Sequence, residues 1–346
     1  MQIQSWSIKG RSFHFGLHGM GQEETSATMP SDSLFAALVA RLARSDGAQT
    51  AEAFCHPFVE RKPPFLLTST FPLAGDVRFF PPPMSARRPP EKTEADAKSF
   101  KRVMYVSEQL YRRLLEGAML AELNGVYEPY LQGGKVWVSE DEFKRLPDAV
   151  QKEGKLWGEE QRPRVTLDRA SQASTLFFTG QVTFAEGCGL WFGIRWLDAD
   201  DKLRNTVRKL LDDLSDAGLG AERNSGLGAA RIAEAGTLEL PDPTGAWTNL
   251  SRYLPRADEM STLSHENSAY TLKSVGGWLD SPTHTGQRRK TINILAEGSV
   301  FGNLPNAIPG QVADVRPRYE TDDDPLKHPV YRSGLALAVG LKGGAA

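Results

Sequence analysis

Net charge and cysteine are both scarce in this 346-residue chain. Lysine and arginine number 41 against 43 aspartates and glutamates, a formal net charge of −2. A chain that grips nucleic acid on its own ordinarily carries a basic excess, because phosphate neutralisation dominates the affinity. The balance here argues against a uniformly basic surface. It leaves room for a local basic face, with other faces turned towards protein. The two cysteines, Cys55 and Cys188, form no CxxC pair and no metal-ligand spacing. They argue against a disulfide scaffold and point to a reducing compartment. Long hydrophobic runs are also missing. The stretch from Leu335 to Leu341 is far too short to span a bilayer. Residues Met1 to Gly10 do not set a basic segment before an apolar one, as a signal peptide would. The expectation is a cytoplasmic protein with no membrane partner.

Arrangements for chemistry are equally sparse. No serine–histidine–acid or cysteine–histidine set is readable. His14 and His18 are four residues apart, but in strand and glycine-rich turn rather than on a helix, so they make no metal pair. Asp322, Asp323 and Asp324 read as an acidic loop. The sequence therefore predicts no catalytic residue, no metal and no cofactor.

What is present suits a folded protein, since 40% of residues are hydrophobic and the length is comfortable for two domains. Ile3 to Ile8 and Phe13 to Leu17 alternate as strands. After Pro30, Ser31 or Asp32 is placed to cap a helix whose apolar face is Leu34, Phe35, Leu38, Val39 and Leu42. From Cys55 to Pro90 the chain is proline-rich, and 60–165 reads as an insertion. Thr175 to Phe184 and Leu190 to Leu197 read as a hairpin around Gly187 and Gly189. Asp201 to Ser215 is an amphipathic helix with Leu203, Val207, Leu210, Leu211 and Leu214 on one face. Ala229 to Ala233 reads as a short strand. Without the insertion the order is βαββαβ, that of a ferredoxin-like, RRM-like domain over 1–235. Residues 236–346 read as a second α+β unit, with candidate strands at Tyr270–Val275, Lys290–Leu295 and Leu335–Val339.

The strongest local signal is Gly218-Leu219-Gly220-Ala221-Glu222-Arg223-Asn224-Ser225-Gly226-Leu227-Gly228. It follows a helix and precedes a strand, the reverse of a dinucleotide-binding loop, and it lacks the GK[ST] of a P-loop. Glycines permit close backbone approach, and successive amides can turn inward as an anion nest. Arg223 can add a bidentate phosphate contact, and Asn224 and Ser225 are neutral donors. The alternative reading of the same residues is a long turn. Trp191, Phe192 and Trp196 have faces on which bases stack, but at least half of them belong to a core.

A glycine-rich loop after the second helix of a ferredoxin-like domain resembles the RAMP superfamily of CRISPR proteins. Pro30-Ser31-Asp32-Ser33-Leu34-Phe35-Ala36-Ala37-Leu38 resembles the start of that family's N-terminal helix. Val165-Thr166-Leu167-Asp168-Arg169, followed by Leu176-Phe177-Phe178, resembles its central strand entry. Arg289 to Phe301, with its Glu297-Gly298-Ser299-Val300 core, and His328 to Ala336 resemble its C-terminal segments. Together, across nearly the whole chain, they are similar to the fourth-subunit family of the type III-A, or Csm, effector complex.

That resemblance implies two ferredoxin-like domains, 1–235 and 236–346, with a glycine-rich loop and a large insertion in the first. It implies a non-catalytic subunit in antiviral defence that holds the 5′ repeat-derived handle of the crRNA. Its implied partners are a large polymerase-like subunit and a backbone RAMP subunit. By motif match the RNA-binding candidates are Gly218, Gly220, Arg223, Asn224, Ser225, Gly226, Gly228, Arg169, Lys290, Gly298 and Ser299. Ser31 joins them near a helix N-terminus, and Arg288 and Arg289 add charge. Three alternatives stand beside this reading. One is a RAMP-type endoribonuclease that processes precursor crRNA through His14 or His18. Another is a purely structural bridge between subunits, and the third is the type III-B counterpart of the same subunit.

Overall fold

The computed structural model describes residues 1–16, 24–87, 99–123, 131–168, 173–279, 287–317, 326 and 328–342. Strand β1 (Gln2–Lys9) lies in the interior of the principal sheet and is followed by the short β2 (Ser12–Phe13). Helix α1 (Ser31–Asp46) buries Leu34, Phe35, Leu38 and Leu42, the face the sequence marks out. The expected cap is absent, however. Pro30 occupies the cap position with no side-chain hydrogen bond, and Ser31 and Asp32 lie inside the helix and are buried. Helix α2 (Ala48–Val59) follows after a single glycine.

Strands β3 (Phe65–Leu67) and β4 (Phe71–Ala74) come next, both fully buried. Beyond them are β5 (Val77–Phe80), β6 (Tyr105–Ser107), α3 (Glu108–Leu115) and β7 (Val136–Trp137). Two eleven-residue strands, β8 (Trp157–Leu167) and β9 (Ser174–Phe184), precede β10 (Cys188–Trp196), α4 (Asp201–Ala217) and β11 (Arg231–Glu239). The principal sheet runs β11-β1-β10-β4-β5-β6-β7, with β3 also on β10. Within it, β6 and β7 pair in parallel. Strands β11, β1, β10 and β4 thus stand side by side, and α1 packs on α4.

This order corrects two sequence expectations. Strands β3 and β4 fall inside the stretch read as an insertion, yet they pair directly with β10. Pro72 disguises β4; it stands opposite Leu190 of β10 but has no partner on β5, whose ladder begins at Leu73, so it occupies the edge-like position a strand proline tolerates. Nor do β9 and β10 form a hairpin. β9 pairs with β8 along its full length and with β2, whereas β10 turns into the principal sheet. Eleven matched residue pairs in β8–β9 outweigh a tight turn as a determinant of pairing. The charged residues of β8 look like a surface insertion because the ribbon stands out from the body. Its outer half exposes Val165, Leu167, Leu176 and Phe178.

The imperfect alternation of β1 also has a cause. Ser5 is fully buried, and its hydroxyl accepts from Arg78 Nε at 3.1 Å. Arg78 is held in turn by Glu108 and by the Ala235 carbonyl. Helix α4 is capped by Asp200, whose side chain accepts from the Leu203 amide at 2.8 Å. Strand β11 begins two residues later than the predicted Ala229 and continues to Glu239, because β1 offers it a full-length partner. Trp191 and Phe192 are wholly buried.

Past residue 240 the strands are short: β12 (Trp247–Asn249), β13 (Leu272–Val275), β14 (Ile292–Leu295), β15 (Val300–Phe301), β16 (Val312–Asp314), β17 (Tyr331–Ser333) and β18 (Ala338–Gly340). They form a three-stranded sheet, β15-β12-β18, and two ribbons, β13-β14 and β16-β17. Among the described residues this region is not a second βαββαβ sheet. Leu250, Leu335, Leu337 and Val339 join the same apolar core as Ile3 and Leu34, while Trp247, Tyr253 and Phe301 form a satellite cluster. No helix among the described residues is long and apolar enough to cross a membrane.

Candidate functional site

The glycine-rich loop leaves α4 at Gly218, in the left-handed region at φ 79°. Two of its glycines, Gly220 and Gly228, are required by packing. A Cβ on Gly220 would stand 2.4 Å from the His14 carbonyl, and one on Gly228 would stand 2.2 Å from that of Leu219. The loop is stitched down by its own amides. Ala221 N donates to His14 O, Gly228 N to Ser12 O, Leu219 N to Gly228 O, and Gly226 N to Arg223 O. These amides do not form an anion nest, because they are already committed to backbone carbonyls. What the loop offers outward is side chain, with Arg223, Asn224 and Ser225 all exposed.

A cleft of about 680 Å³ opens between this loop, the outer face of α1 and the chain around Arg289 and Tyr331. Helix periodicity builds its α1 wall. With Leu34, Leu38 and Leu42 turned into the core, Ala36, Ala37, Ala40, Arg41 and Arg44 fall on the opposite side and line the cleft. Arg223 lines the loop side, and Arg289 and Arg332 line the far side. Among the described residues Glu52 is the single carboxylate in the wall. Arg332 is answered by Asp32 at 3.2 Å. Among the described residues, Arg41, Arg223 and Arg289 have no carboxylate partner. The Nε atoms of Arg41 and Arg289 are buried without a hydrogen-bond partner, and Arg289 spends Nη2 on the Gly276 carbonyl. Unanswered guanidinium groups beside an apolar wall favour an anionic ligand. Cys55 also lines the cleft, and burial pushes its thiol up to about 12, so it enters the wall as a neutral group.

At the rim, Trp278 is half exposed, with the Arg288 guanidinium 4.8 Å from its ring centroid. Gly218, Gly220, Arg223 and Arg289 are thus brought to one cleft, with Arg288 beside it. Asn224 and Ser225 are exposed but do not line it, and Ser225 donates to Glu222. Lys290 donates its backbone amide to Val315 O, one residue past β16. Arg169 lies outside the described residues, as do His18 and the 322–324 acidic run.

Three candidates are placed elsewhere. Ser299 is fully buried, its hydroxyl donating to Ala296 O at 2.6 Å. Gly298 lies against Pro81 and Pro82 and bonds both Met84 N and Asn249 O. Ser31 is buried, its hydroxyl accepting from Arg252 N at 2.8 Å and its amide donating to Ser69 Oγ at 2.8 Å. The helix N-terminus expected to favour a phosphate is closed off by the protein itself. Glu297 completes this cluster, accepting from Ser69 and from Arg252 Nε at 3.0 Å. Burial lowers the pKa of Arg252, but Glu297 and Asp32 more than offset that and raise it.

Sequence reasoning misses Arg41, Arg44, Arg332 and Trp278. The signal for Arg41 and Arg44 is present as the polar and small residues opposite the leucine face. Arg332 and Trp278 reach the cleft only through tertiary folding. Among the described residues no group of three or more histidines, cysteines or carboxylates is placed to hold a metal.

Comparison with known proteins agrees with this architecture. Residues 242–341 match the model of the CRISPR Csm4 C-terminal domain. A Thermococcus onnurineus protein, CRISPR system Cms protein Csm4, is 25% identical over 181 residues, 52% of this chain and 53% of its own length. This chain therefore aligns with about half of that relative. The Mycobacterium tuberculosis protein of the same name is 24% identical over 338 residues, 96% of each chain. The fold is shared with a chain of a Csm3–Csm4 subcomplex of the type III-A CRISPR-Cas interference complex, at TM-score 0.63 and 17% identity, over 99% of this chain and 100% of that one. It is shared also with a chain of a Csm1–Csm4 cassette in complex with pppApA, at TM-score 0.55 and 17% identity, over 99% and 98%.

Proposed function

We propose that this chain, a Csm4-like RAMP protein, is a non-catalytic subunit of a type III CRISPR effector complex that holds the 5′ repeat-derived handle of the crRNA in the arginine-lined cleft. The single observation that carries the reading is the convergence of Arg223, Arg289 and Arg41, none with a carboxylate partner among the described residues, on one cleft beside the glycine-rich loop. Single-stranded RNA is held by such a combination of cationic groups and flat or apolar surfaces. A net charge of −2 is then no obstacle, since the positive charge is local. Other faces are left for protein neighbours. The assemblies formed by the structural relatives, Csm1–Csm4 and Csm3–Csm4, support a large polymerase-like subunit and a backbone RAMP subunit as those neighbours.

The test is crosslinking mass spectrometry on the complex purified with its native RNA. Crosslinks from the 5′ handle to Arg223 and to the Arg288–Lys290 segment are expected. Their absence from both segments would overturn the reading. One observation keeps the nuclease alternative testable, namely that His14 lines the same cleft. Cleavage of repeat RNA by the purified chain, abolished by His14→Ala, would replace a holding role with a catalytic one.

A further inference from the structure

The two strands of the β13–β14 ribbon differ in how they are closed. Strand β14 is engaged on both sides. It pairs with β13 on one, and on the other Leu295 exchanges backbone hydrogen bonds with Tyr253. Strand β13 has β14 as its single partner among the described residues. Its ladder alternates. Thr271 O accepts from Ala296 N at 2.9 Å, so Lys273 and Val275 carry the next bonds, opposite Ile294 and Ile292. Leu272 and Ser274 then turn their N–H and C=O groups to the outer edge. None of these four groups has a partner among the described residues.

The side chains give this open edge a chemical preference. Tyr270 and Leu272 share one face by alternation, and both are exposed, Leu272 at 56%. Tyr270 stacks on Phe301, with ring centroids 6.4 Å apart, and so carries the Trp247, Tyr253 and Phe301 cluster out to the surface. The described residues of the ribbon, 268–279 and 287–295, include Lys273, Arg288, Arg289 and Lys290 and no carboxylate. Lys273, on β13 itself, is exposed and has no carboxylate partner among the described residues. A lysine on a free edge repels a second basic strand, but an acidic one answers it.

We infer that β13 takes an added β-strand from a neighbouring subunit of the complex. The strand is an extended protein segment with an acidic side chain opposite Lys273 and an apolar one over Tyr270 and Leu272. A peptide satisfies both the donors and the acceptors of the edge, whereas the phosphates of an RNA would satisfy the donors alone. The surface goes beyond the handle-binding reading, and it requires only that the chain belong to an effector complex.

The experiment applies zero-length carbodiimide crosslinking to the assembled complex with its guide RNA and reads which carboxylates join the Lys273 amine. The expected partner is an aspartate or glutamate in an extended segment of one neighbouring subunit. If Lys273 joins no other subunit, the proposal is overturned. Two variants then test the strand itself. Ser274→Pro removes an outward N–H and spares the ladder to β14, and Lys273→Glu reverses the charge. Each should weaken association of the crosslinked subunit roughly tenfold while guide retention stays unchanged. Full affinity for that subunit in both variants would overturn the strand addition. Loss of guide with the subunit retained would mean that the edge meets RNA, and the proposal would fall. Guide retention by Arg223→Ala, measured in parallel, shows separately whether the handle reading stands. The crosslink in the unaltered complex decides the matter even if Ser274→Pro fails to fold.

Discussion

The two ends of α1 behave in opposite ways. At its N-terminus, Ser31 and Asp32 are buried and engaged with Ser69, Arg252 and Arg332. Two to three turns later the same helix presents Arg41 and Arg44 to an open cleft. The first end is where remote parts of the chain meet, since Glu297 and Arg332 reach it from the C-terminal region. The second end is where a ligand can meet the chain. Segments that look alike in sequence as polar, charged stretches therefore divide into a brace and a binding wall. The divider is clearest at two residues: Asp32 is answered by Arg332, whereas Arg41 has no carboxylate partner among the described residues and its Nε is buried without a hydrogen bond.

The sharpest way to break this distinction is to remove a charge from the brace. Asp32→Ala leaves Arg332, 11% exposed at its side chain, without the carboxylate it now faces. Breaking a buried pair from one side costs about 3–5 kcal/mol. Urea or thermal unfolding should show a loss of that size. A loss below about 0.5 kcal/mol would mean that the pair is ornamental and the brace misassigned.

The next effect belongs to the loop that forms the other wall. Gly220→Ala forces a side chain into the left-handed region at φ 86°, with its Cβ 2.4 Å from the His14 carbonyl. A destabilisation of order 1–3 kcal/mol is expected. Gly226 has the same sign of φ, but a Cβ there meets nothing within 4 Å. Gly226→Ala should therefore cost less than Gly220→Ala. If the order were reversed, the loop would not be pinned to His14 as described.

Arg223→Ala should move a different observable. Arg223 is exposed, so unfolding stability should stay within about 0.5 kcal/mol. RNA association should fall, and the slope of log affinity against log salt should shrink by about 0.7 for each phosphate that Arg223 neutralises. Weaker binding with an unchanged salt slope would place Arg223 away from the phosphates.

How much of this is legible in the sequence follows from the same distinction. Local periodicity is visible in one dimension, so β1, α1, α4 and the glycine-rich loop can be read from it. Pairing between distant segments is not local. Pro72 hides β4, and the short turn at 185–189 suggests β10 as the partner of β9, whereas the strand that fixes β9 is the charged one before it. Within the site, Arg223 and Arg289 are found because they sit beside recognisable motifs. Arg332 lies within a motif yet shows no role in one dimension, because its partner Asp32 is 300 residues away. Gly298 and Ser299 are RNA-binding candidates through the resemblance of the Arg289–Phe301 segment to its counterpart in the family. In the folded chain they hold the junction instead.

Ser299→Ala tests that last point, with the smallest effect of the set. The Ser299 hydroxyl is wholly buried and donates to Ala296 O at 2.6 Å. Removing the hydroxyl leaves that carbonyl with the longer bond from the Ser299 amide, at 3.4 Å. The net cost of one such bond is about 1 kcal/mol, visible as a modest shift in the unfolding midpoint. A residue in the brace can influence RNA only through the fraction of chain that is folded, so the salt slope of RNA association should not change at all. Under conditions where the protein stays folded, the affinity should be unchanged as well. A reduced salt slope in Ser299→Ala would put this segment back into the RNA interface and would erase the division between the two ends of α1. An unchanged slope beside a lowered midpoint would assign the Glu297–Val300 segment to the architecture that holds the cleft open.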